Sequence, residues 1–171
     1  LGIIGGGQLG SMLCQAAKNL GVKTVIYCND KDSPAKYYSN KFICGEYNDD
    51  TKIEKFTKQV DVVTFEFENI PVPTLKKIQQ IKPVYPDPNV NFIIQHRIKE
   101  KNFINQLGIK TVDYKNIYSY KDVEKVENLL PGILKTTTLG YDGKGQYIIS
   151  NSKDFEKINF KDEFILEKKI N

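Results

Sequence analysis

The chain has 171 residues, of which 40% are hydrophobic and 27% are charged, and its formal net charge is +4. This composition excludes a disordered chain, and no apolar run approaches the roughly 18–20 residues that a membrane helix needs. The 25 basic residues are interspersed with 21 acidic ones instead of forming one basic stripe, so neither nucleic acid nor a membrane is expected as a partner, and a cytoplasmic location is expected.

The first half of the sequence alternates strand-like and helix-like segments. Three of four short apolar runs are each followed by a turn and then by apolar residues at helical spacing, and the remaining run, Val22–Cys28, is β-branched and alternating. The predicted strands are Leu1–Ile4, Val22–Cys28, Phe42–Cys44 and Val62–Phe65, and the predicted helices are Gln8–Leu20, Asp50–Val60 and Pro73–Ile81. Repeated strand–helix units predict an α/β fold with a parallel sheet, whose ligands bind at the carboxyl ends of the strands.

The three cysteines predict neither a disulfide framework nor a metal site. Cys14, Cys28 and Cys44 are odd in number and have no C-x-x-C spacing. We expect buried, reduced thiols.

A glycine-rich turn joins the first predicted strand to the first helix. Gly5-Gly6-Gly7-Gln8-Leu9-Gly10 satisfies G-x-G-x-x-G, and Asp30 follows at the end of the second strand. Any tight turn that brings backbone amides close to an anion also needs glycines. The turn is therefore compatible with a nicotinamide dinucleotide, a phosphate-bearing substrate or a purely structural role.

Two carboxylates follow the strand Val62–Phe65. Glu66 and Glu68 are two residues apart, so within a strand their side chains would point the same way. Such a pair suits the hydroxyls of a ribose better than a phosphate, because an anion would face an anion. The alternative is a carboxylate that caps the next helix or lies in water.

The second half begins after a proline-rich stretch, Pro83–Pro88, which predicts a domain boundary. Helical spacing then predicts a helix over 89–107 and a shorter one over 122–130. Arg97, the only arginine, lies inside the first of these. It is either the planar, bidentate fork of a binding site or an ordinary surface residue.

A glycine-rich hairpin is predicted next. Strand Gly132–Lys135 leads into Gly140–Gln146, and strand 146–150 follows directly. This context differs from that of a Walker A loop, and the Walker A pattern is absent. Lys135, Lys144 and the loop amides can neutralise a polyphosphate. The alternative is an ordinary hairpin with solvated lysines. The last apolar strand, near Glu167, ends almost with the chain, so a fragment is expected.

Four segments together resemble the amino-terminal half of the 5-(carboxyamino)imidazole ribonucleotide synthase family of the ATP-grasp superfamily. They are GGGQLG at 5–10, TFEFENIP at 64–71, QHRIKEKNFINQLGI at 95–109 and GILKTTTLGYDGKGQ at 132–146. The resemblance covers the whole chain. It implies a Rossmann-like preATP-grasp domain over 1–88, followed by the first part of an α+β ATP-grasp domain over 89–171.

The resemblance also implies an activity. Members of the family use ATP to phosphorylate bicarbonate and then carboxylate the amine of 5-aminoimidazole ribonucleotide, releasing ADP and phosphate. It implies catalytic roles for Lys135 and Lys144. The implied ATP-binding residues are Arg97, Lys135, Gly140, Tyr141, Asp142, Gly143, Lys144, Gly145, Gln146, Glu167, Lys168, Lys169 and Ile170. The segment 167–170 would hold adenine through backbone groups, although Lys168 and Lys169 depart from the smaller residues that many members carry there.

The implied ribonucleotide site comprises Gly7, Gln8, Leu9 and Glu66, with the turn amides near the 5′-phosphate and the carboxylate near hydroxyls. Magnesium is expected, with its carboxylate ligands in a carboxyl-terminal half that this chain lacks, so the fragment alone is expected to be inactive. A homodimer is expected for the full-length enzyme. The alternatives are an NAD-dependent dehydrogenase, which leaves 135–146 unexplained, and the formate-dependent glycinamide ribonucleotide transformylase, for which a glutamate is expected in place of Gln8.

Overall fold

Five short parallel strands form the sheet of the amino-terminal part of the chain, in a computed structural model that describes residues 1–140 and 144–170. They are β1 (Gly2–Ile4), β2 (Val25–Cys28), β3 (Lys41–Cys44), β4 (Val63–Phe65) and β5 (Val84–Tyr85), in the order β3-β2-β1-β4-β5. The central strand pairs Ile3 with Ile26 on one side and with Thr64 on the other. The predicted parallel α/β sheet is confirmed.

Helices cover both faces of this sheet. They are α1 (Gln8–Asn19), a 3₁₀ helix (Pro34–Tyr37), α2 (Asp50–Thr57) and α3 (Val72–Gln79), and α4 (Pro88–Ile94) follows β5 in the chain. One apolar cluster joins Ile4, Tyr27 and Phe56 to residues of α2 and α3, and a second joins Ile3 and Ile26 to Cys14 and Ala35. Strands buried on both faces explain the continuous apolar runs that predicted them.

Helix α1 presents its large apolar side chains outward. The apolar spacing predicted this helix correctly, yet Leu9 and Met12 are each 56% exposed whereas Cys14 is 1% exposed. Small residues face the sheet instead, because a Cβ atom on Gly10 would lie 2.9 Å from the Gly5 carbonyl oxygen. A helix that packs this close to the strands needs small side chains on its buried side.

The proline-rich stretch Pro83–Pro88, predicted only as a domain boundary, contains the edge strand β5. Val84 in β5 pairs with Val63, whose amide donates to the Pro83 carbonyl at 2.9 Å. Proline is tolerated there because an edge strand leaves one side without ladder partners. The chain divides into two units, Leu1–Phe92 and Ile93–Asn171, so this division falls inside α4, and the domain bounds 1–88 and 89–171 stay a prediction.

The described part of the second unit contains an antiparallel sheet. Its strands are β6 (Tyr114–Ile117), β7 (Gly132–Thr136), β8 (Gln146–Ile149) and β9 (Phe164–Lys168), in the order β6-β9-β7-β8. The predicted β7–β8 hairpin is confirmed, with Lys135 opposite Gln146. One sheet face packs on 3₁₀ helices at Tyr120–Leu129 and Ser152–Lys157, with Leu134 and Leu166 in this core.

The long helix expected over 89–107 is wrong as one element. Helix α4 ends at Ile94, and α5 (Arg97–Gln106) begins after His96, whose backbone is extended (φ −134°). The Arg97 amide donates to the Thr137 carbonyl at 2.9 Å and not to an earlier helical turn. Arg97 therefore begins a helix. The element expected over 122–130 is a 3₁₀ helix capped by Ser119 and Asp122.

None of the helices within residues 1–140 and 144–170 is long and apolar enough to span a membrane.

The core of the second unit gives a direct stability test. Leu134→Ala removes a fully buried side chain, so we expect the free energy of unfolding to fall by about 2–5 kcal/mol in urea denaturation. The control is Ile148→Ala on the neighbouring strand and the opposite face, where the side chain is 67% exposed; its effect should stay within about 0.5 kcal/mol. Equal losses for the two variants would contradict this placement of the core.

Candidate functional site

The first candidate site is a cleft at the carboxyl edge of the parallel sheet. Its volume is about 240 Å³, and it is lined by the turn 5–7, by Asp30 and Ser33 after β2, by Tyr47 and by Glu66. These residues come from successive strand ends, which is where ligands of such sheets bind. The structure thus brings Gly7 and Glu66, both expected at the ribonucleotide site, into contact.

The Glu66 carboxylate lies against the glycine turn. The Gly7 amide donates to Glu66 Oε1 at 3.2 Å. Gly5 has φ +107°, and a Cβ atom there would lie 2.7 Å from the same oxygen, so the turn needs glycine for the carboxylate to approach. Burial raises the pKa of Glu66 above its usual value, although hydrogen bonds from the Gly7 and Gly10 amides oppose this shift. The Glu66 carboxylate thus accepts a hydrogen bond from the Gly7 amide, one of the turn amides expected near a phosphate.

The other predicted residues of this cleft lie at its margin. Gln8 and Leu9 begin α1 and are exposed. Glu66 and Glu68 follow β4 instead of lying in it, because the strand ends at Phe65. Glu68 is exposed and accepts a hydrogen bond from Asn69 Nδ2 at 2.8 Å. Of Glu66 and Glu68, only Glu66 therefore lines the cleft, where Asp30 is a second carboxylate.

The second candidate site is a cluster of charged side chains on one face of the antiparallel sheet. Glu167 on β9 lies opposite Ile133 on β7, and Lys135 lies opposite Ile165, so both charged side chains share a face. Lys135 Nζ is 2.6 Å from Glu167 Oε2, and Lys101 Nζ on α5 is 3.2 Å from Glu167 Oε1. Each carboxylate oxygen thus has its own lysine.

This cluster is partly removed from water. Glu167 is only 9% exposed. Its burial would raise the pKa of its carboxyl, but the hydrogen bonds and charges of Lys135 and Lys101 outweigh burial and hold that pKa below its usual value. Two ammonium groups against one carboxylate leave an excess of one positive charge, which suits the binding of an anion.

Arg97 holds the base of the glycine-rich loop. Its Nη1 donates to the Thr136 carbonyl at 2.8 Å, and its Nη2 donates to the Gly140 carbonyl. The Thr136 amide donates to the Gly145 carbonyl at 2.9 Å, and Gly145 has φ +65°. A Cβ atom on Gly145 would lie 2.6 Å from Thr136 Oγ1. The guanidinium thus acts as a planar fork, with backbone carbonyls as its acceptors; its contact with phosphates stays a prediction.

The remaining predicted ATP-binding residues fall in three groups. Tyr141, Asp142 and Gly143 lie outside the described residues. Lys144 is exposed, and Gln146 begins β8 beside Lys135. In the segment expected to hold adenine, the Lys168 amide donates to the Asp113 backbone carbonyl at 2.9 Å, and the Lys169 amide donates to the Pro131 carbonyl at 3.0 Å. Ile170 is exposed. These two amides already have partners within the protein, so a base would need other backbone groups of this segment.

Sequence reasoning missed Lys101. The signal that could have found it is its position four residues after Arg97, which places both cations on one face of α5. Across residues 1–140 and 144–170, no three histidine, cysteine, aspartate or glutamate side chains are grouped so that they could hold a metal ion.

Comparison with known proteins places both halves of the chain. Residues 1–95 match the ribonucleotide synthetase preATP-grasp domain, and residues 102–171 match the ATP-grasp domain. The first match covers more than half of the chain, which therefore belongs to the ribonucleotide synthetase preATP-grasp family. The predicted order of a preATP-grasp domain followed by part of an ATP-grasp domain is confirmed.

The similar proteins are purine-synthesis enzymes. The chain is 40% identical to the bifunctional purine synthesis protein purC/E of Dictyostelium discoideum, over 92% of this chain and 16% of that protein. It is 35% identical to the N5-carboxyaminoimidazole synthetase of Staphylococcus aureus, whose crystal structure with ADP superimposes with a TM-score of 0.93 over 99% of this chain and 47% of that one. An Aspergillus clavatus carboxyaminoimidazole ribonucleotide synthase complexed with ATP is 26% identical, with a TM-score of 0.87 over 99% of this chain and 46% of that one.

These comparisons confirm the resemblance stated from the sequence. The chain spans about half the length of the synthases that it matches, and it corresponds to their amino-terminal part.

The Arg97 fork gives a test that needs no ligand. In Arg97→Lys one ammonium replaces the two-pronged guanidinium, so one loop-base carbonyl loses its partner. We expect amide hydrogen exchange at Thr136 and Thr137 to become about tenfold faster, with exchange in the first unit unchanged. Unchanged exchange at both amides would contradict a role for Arg97 at the loop base.

Proposed function

We propose that the full-length protein carboxylates 5-aminoimidazole ribonucleotide with bicarbonate at the expense of ATP. A bicarbonate oxygen attacks the γ-phosphorus and ADP leaves, which gives carboxyphosphate. The amine nitrogen then attacks the carboxyl carbon, phosphate leaves and the amine loses a proton. The observation that carries the proposal is the excess positive charge of Lys101, Lys135 and Glu167 beside the glycine-rich hairpin. Similarity to the synthases along the entire chain supports it.

The β7–β8 hairpin supplies the groups for phosphate. Lys135 is the penultimate residue of its first strand, and Lys144 lies shortly before the second. Ammonium groups aimed at the phosphates neutralise the negative charge that grows on ADP as the γ-phosphoryl group is transferred. Arg97 holds the loop base through the Thr136 and Gly140 carbonyls, next to Lys135 in the chain.

The glycine turn and Glu66 serve the ribonucleotide in a different way. A carboxylate that already accepts the Gly7 amide repels a phosphate, so Glu66 binds ribose hydroxyls or the amine, and the 5′-phosphate lies away from this turn. The same repulsion disfavours a nicotinamide dinucleotide, whose pyrophosphate would need these amides. Gln8 and Leu9 at the start of α1 form the rim of the site.

Magnesium belongs to the proposal as a partner of ATP. It would offset phosphate charge when bound, and the family resemblance implies that its carboxylate ligands lie in the carboxyl-terminal half of the full-length enzyme. A homodimer, which the family resemblance implies, and a cytoplasmic location, which the sequence predicts, also belong to the proposal.

The test is steady-state kinetics on the full-length enzyme with Lys135→Met. Removing an ammonium group aimed at the phosphates should lower kcat by about a hundredfold or more. Glu167 keeps Lys101 as a partner in this variant, so the fold should survive. ATP consumption at the wild-type rate would contradict the assignment.

The matched control is Glu66→Ala in the other unit. It should raise KM for 5-aminoimidazole ribonucleotide about tenfold or more while KM for ATP changes less than about twofold, because the carboxylate contacts only the ribonucleotide. Equal increases in both KM values would argue against two separate sites.

A further inference from the structure

Lys101 is a partly buried cation to which the proposed reaction gives no direct part. Its Nζ lies 3.2 Å from Glu167 Oε1 and 5.3 Å from the centre of the Tyr114 ring. Tyr114 lies opposite Glu167 in the β6–β9 ladder, and its hydroxyl donates to Asn102 Oδ1 at 2.5 Å. The aromatic ring on one side and the carboxylate on the other fix the ammonium group in place.

The Lys135 ammonium group has to interact with two different anions. It is 2.6 Å from Glu167 Oε2, and for the proposed function its ammonium group also has to reach a phosphate. If it left Glu167 without any replacement, a carboxylate that is 9% exposed would be buried without a cation. An uncompensated buried charge is strongly unfavourable, so such a movement would be suppressed.

We propose that Lys101 is a positioning residue for nucleotide binding, which keeps Glu167 neutralised while Lys135 turns from Glu167 to a phosphate oxygen. This inference rests on the proposed function. Lys101 touches neither nucleotide nor substrate; it acts through Glu167.

The charges on this face of the sheet lead to the same expectation. With Lys101 present, the three groups carry a net charge of +1, and Lys135 is the cation that can be shared with a phosphate. Without Lys101, Lys135 and Glu167 form a neutral one-to-one pair. A phosphate then has to separate that pair before it can bind, so its affinity falls.

The experiment is calorimetric titration of the full-length protein with ADP. We expect Lys101→Met to weaken ADP binding about tenfold or more, whereas Lys101→Arg, which keeps the charge, stays within about threefold of wild type. Lys99→Met is the matched control, since it removes the same charge from an exposed position of the same helix and should change Kd less than about twofold.

A second pair of variants separates positioning from a purely structural role. In the Glu167→Gln background there is no carboxylate to neutralise, so adding Lys101→Met should cost less than about twofold in ADP affinity. A structural contribution of Lys101 to the fold would instead persist in both backgrounds. If Lys101→Met alone does not fold, the ADP affinities of Glu167→Gln and of the double variant decide between positioning and a structural role.

The outcomes are distinct. Wild-type affinity in Lys101→Met, or a tenfold loss that persists in the Glu167→Gln background, would overturn the role of Lys101 and leave the proposed function standing. Absence of ADP binding by the wild-type protein would instead overturn the proposed function together with this inference.

Discussion

The buried carboxylate of Glu167 is the constraint around which the second unit is built. A carboxylate that is 9% exposed needs cations, and the fold supplies one from each side, Lys135 from the neighbouring strand and Lys101 from α5. The antiparallel register puts Lys135 on the right face, and the helix that carries Lys101 begins at the residue that holds the loop base. Sheet, helix and loop therefore share one electrostatic arrangement.

In the first unit, backbone amides instead of lysines stabilise a partly buried carboxylate. Glu66 is half-buried, and the Gly7 and Gly10 amides donate hydrogen bonds to it. Glycines are needed in this turn so that the carboxylate can approach, which gives the G-x-G-x-x-G pattern a cause other than a dinucleotide. The two sites thus differ in sign: the turn presents a carboxylate to its ligand, and the hairpin presents lysines.

Much of this arrangement could be predicted from the sequence, because local patterns determine it. A short apolar run and helical spacing found β1 and α1, and the glycine loop between two strands found the hairpin that carries Lys135. The predictions that failed concern features that depend on tertiary contacts. The apolar residues of α1 face outward because close packing on the sheet requires small ones, and the helix break at His96 depends on a bond from Arg97 to Thr137. Lys101 was missed because only the fold brings α5 against β9.

The central claim is that Lys135 serves a phosphate while Lys101 keeps Glu167 neutral. A crystal structure of the full-length protein with the imido analogue of ATP tests it directly. The account predicts Lys135 Nζ within hydrogen-bond distance of a phosphate oxygen and Lys101 Nζ still on Glu167. A nucleotide bound with its phosphates away from the β7–β9 face, with both lysines still on Glu167, would contradict it.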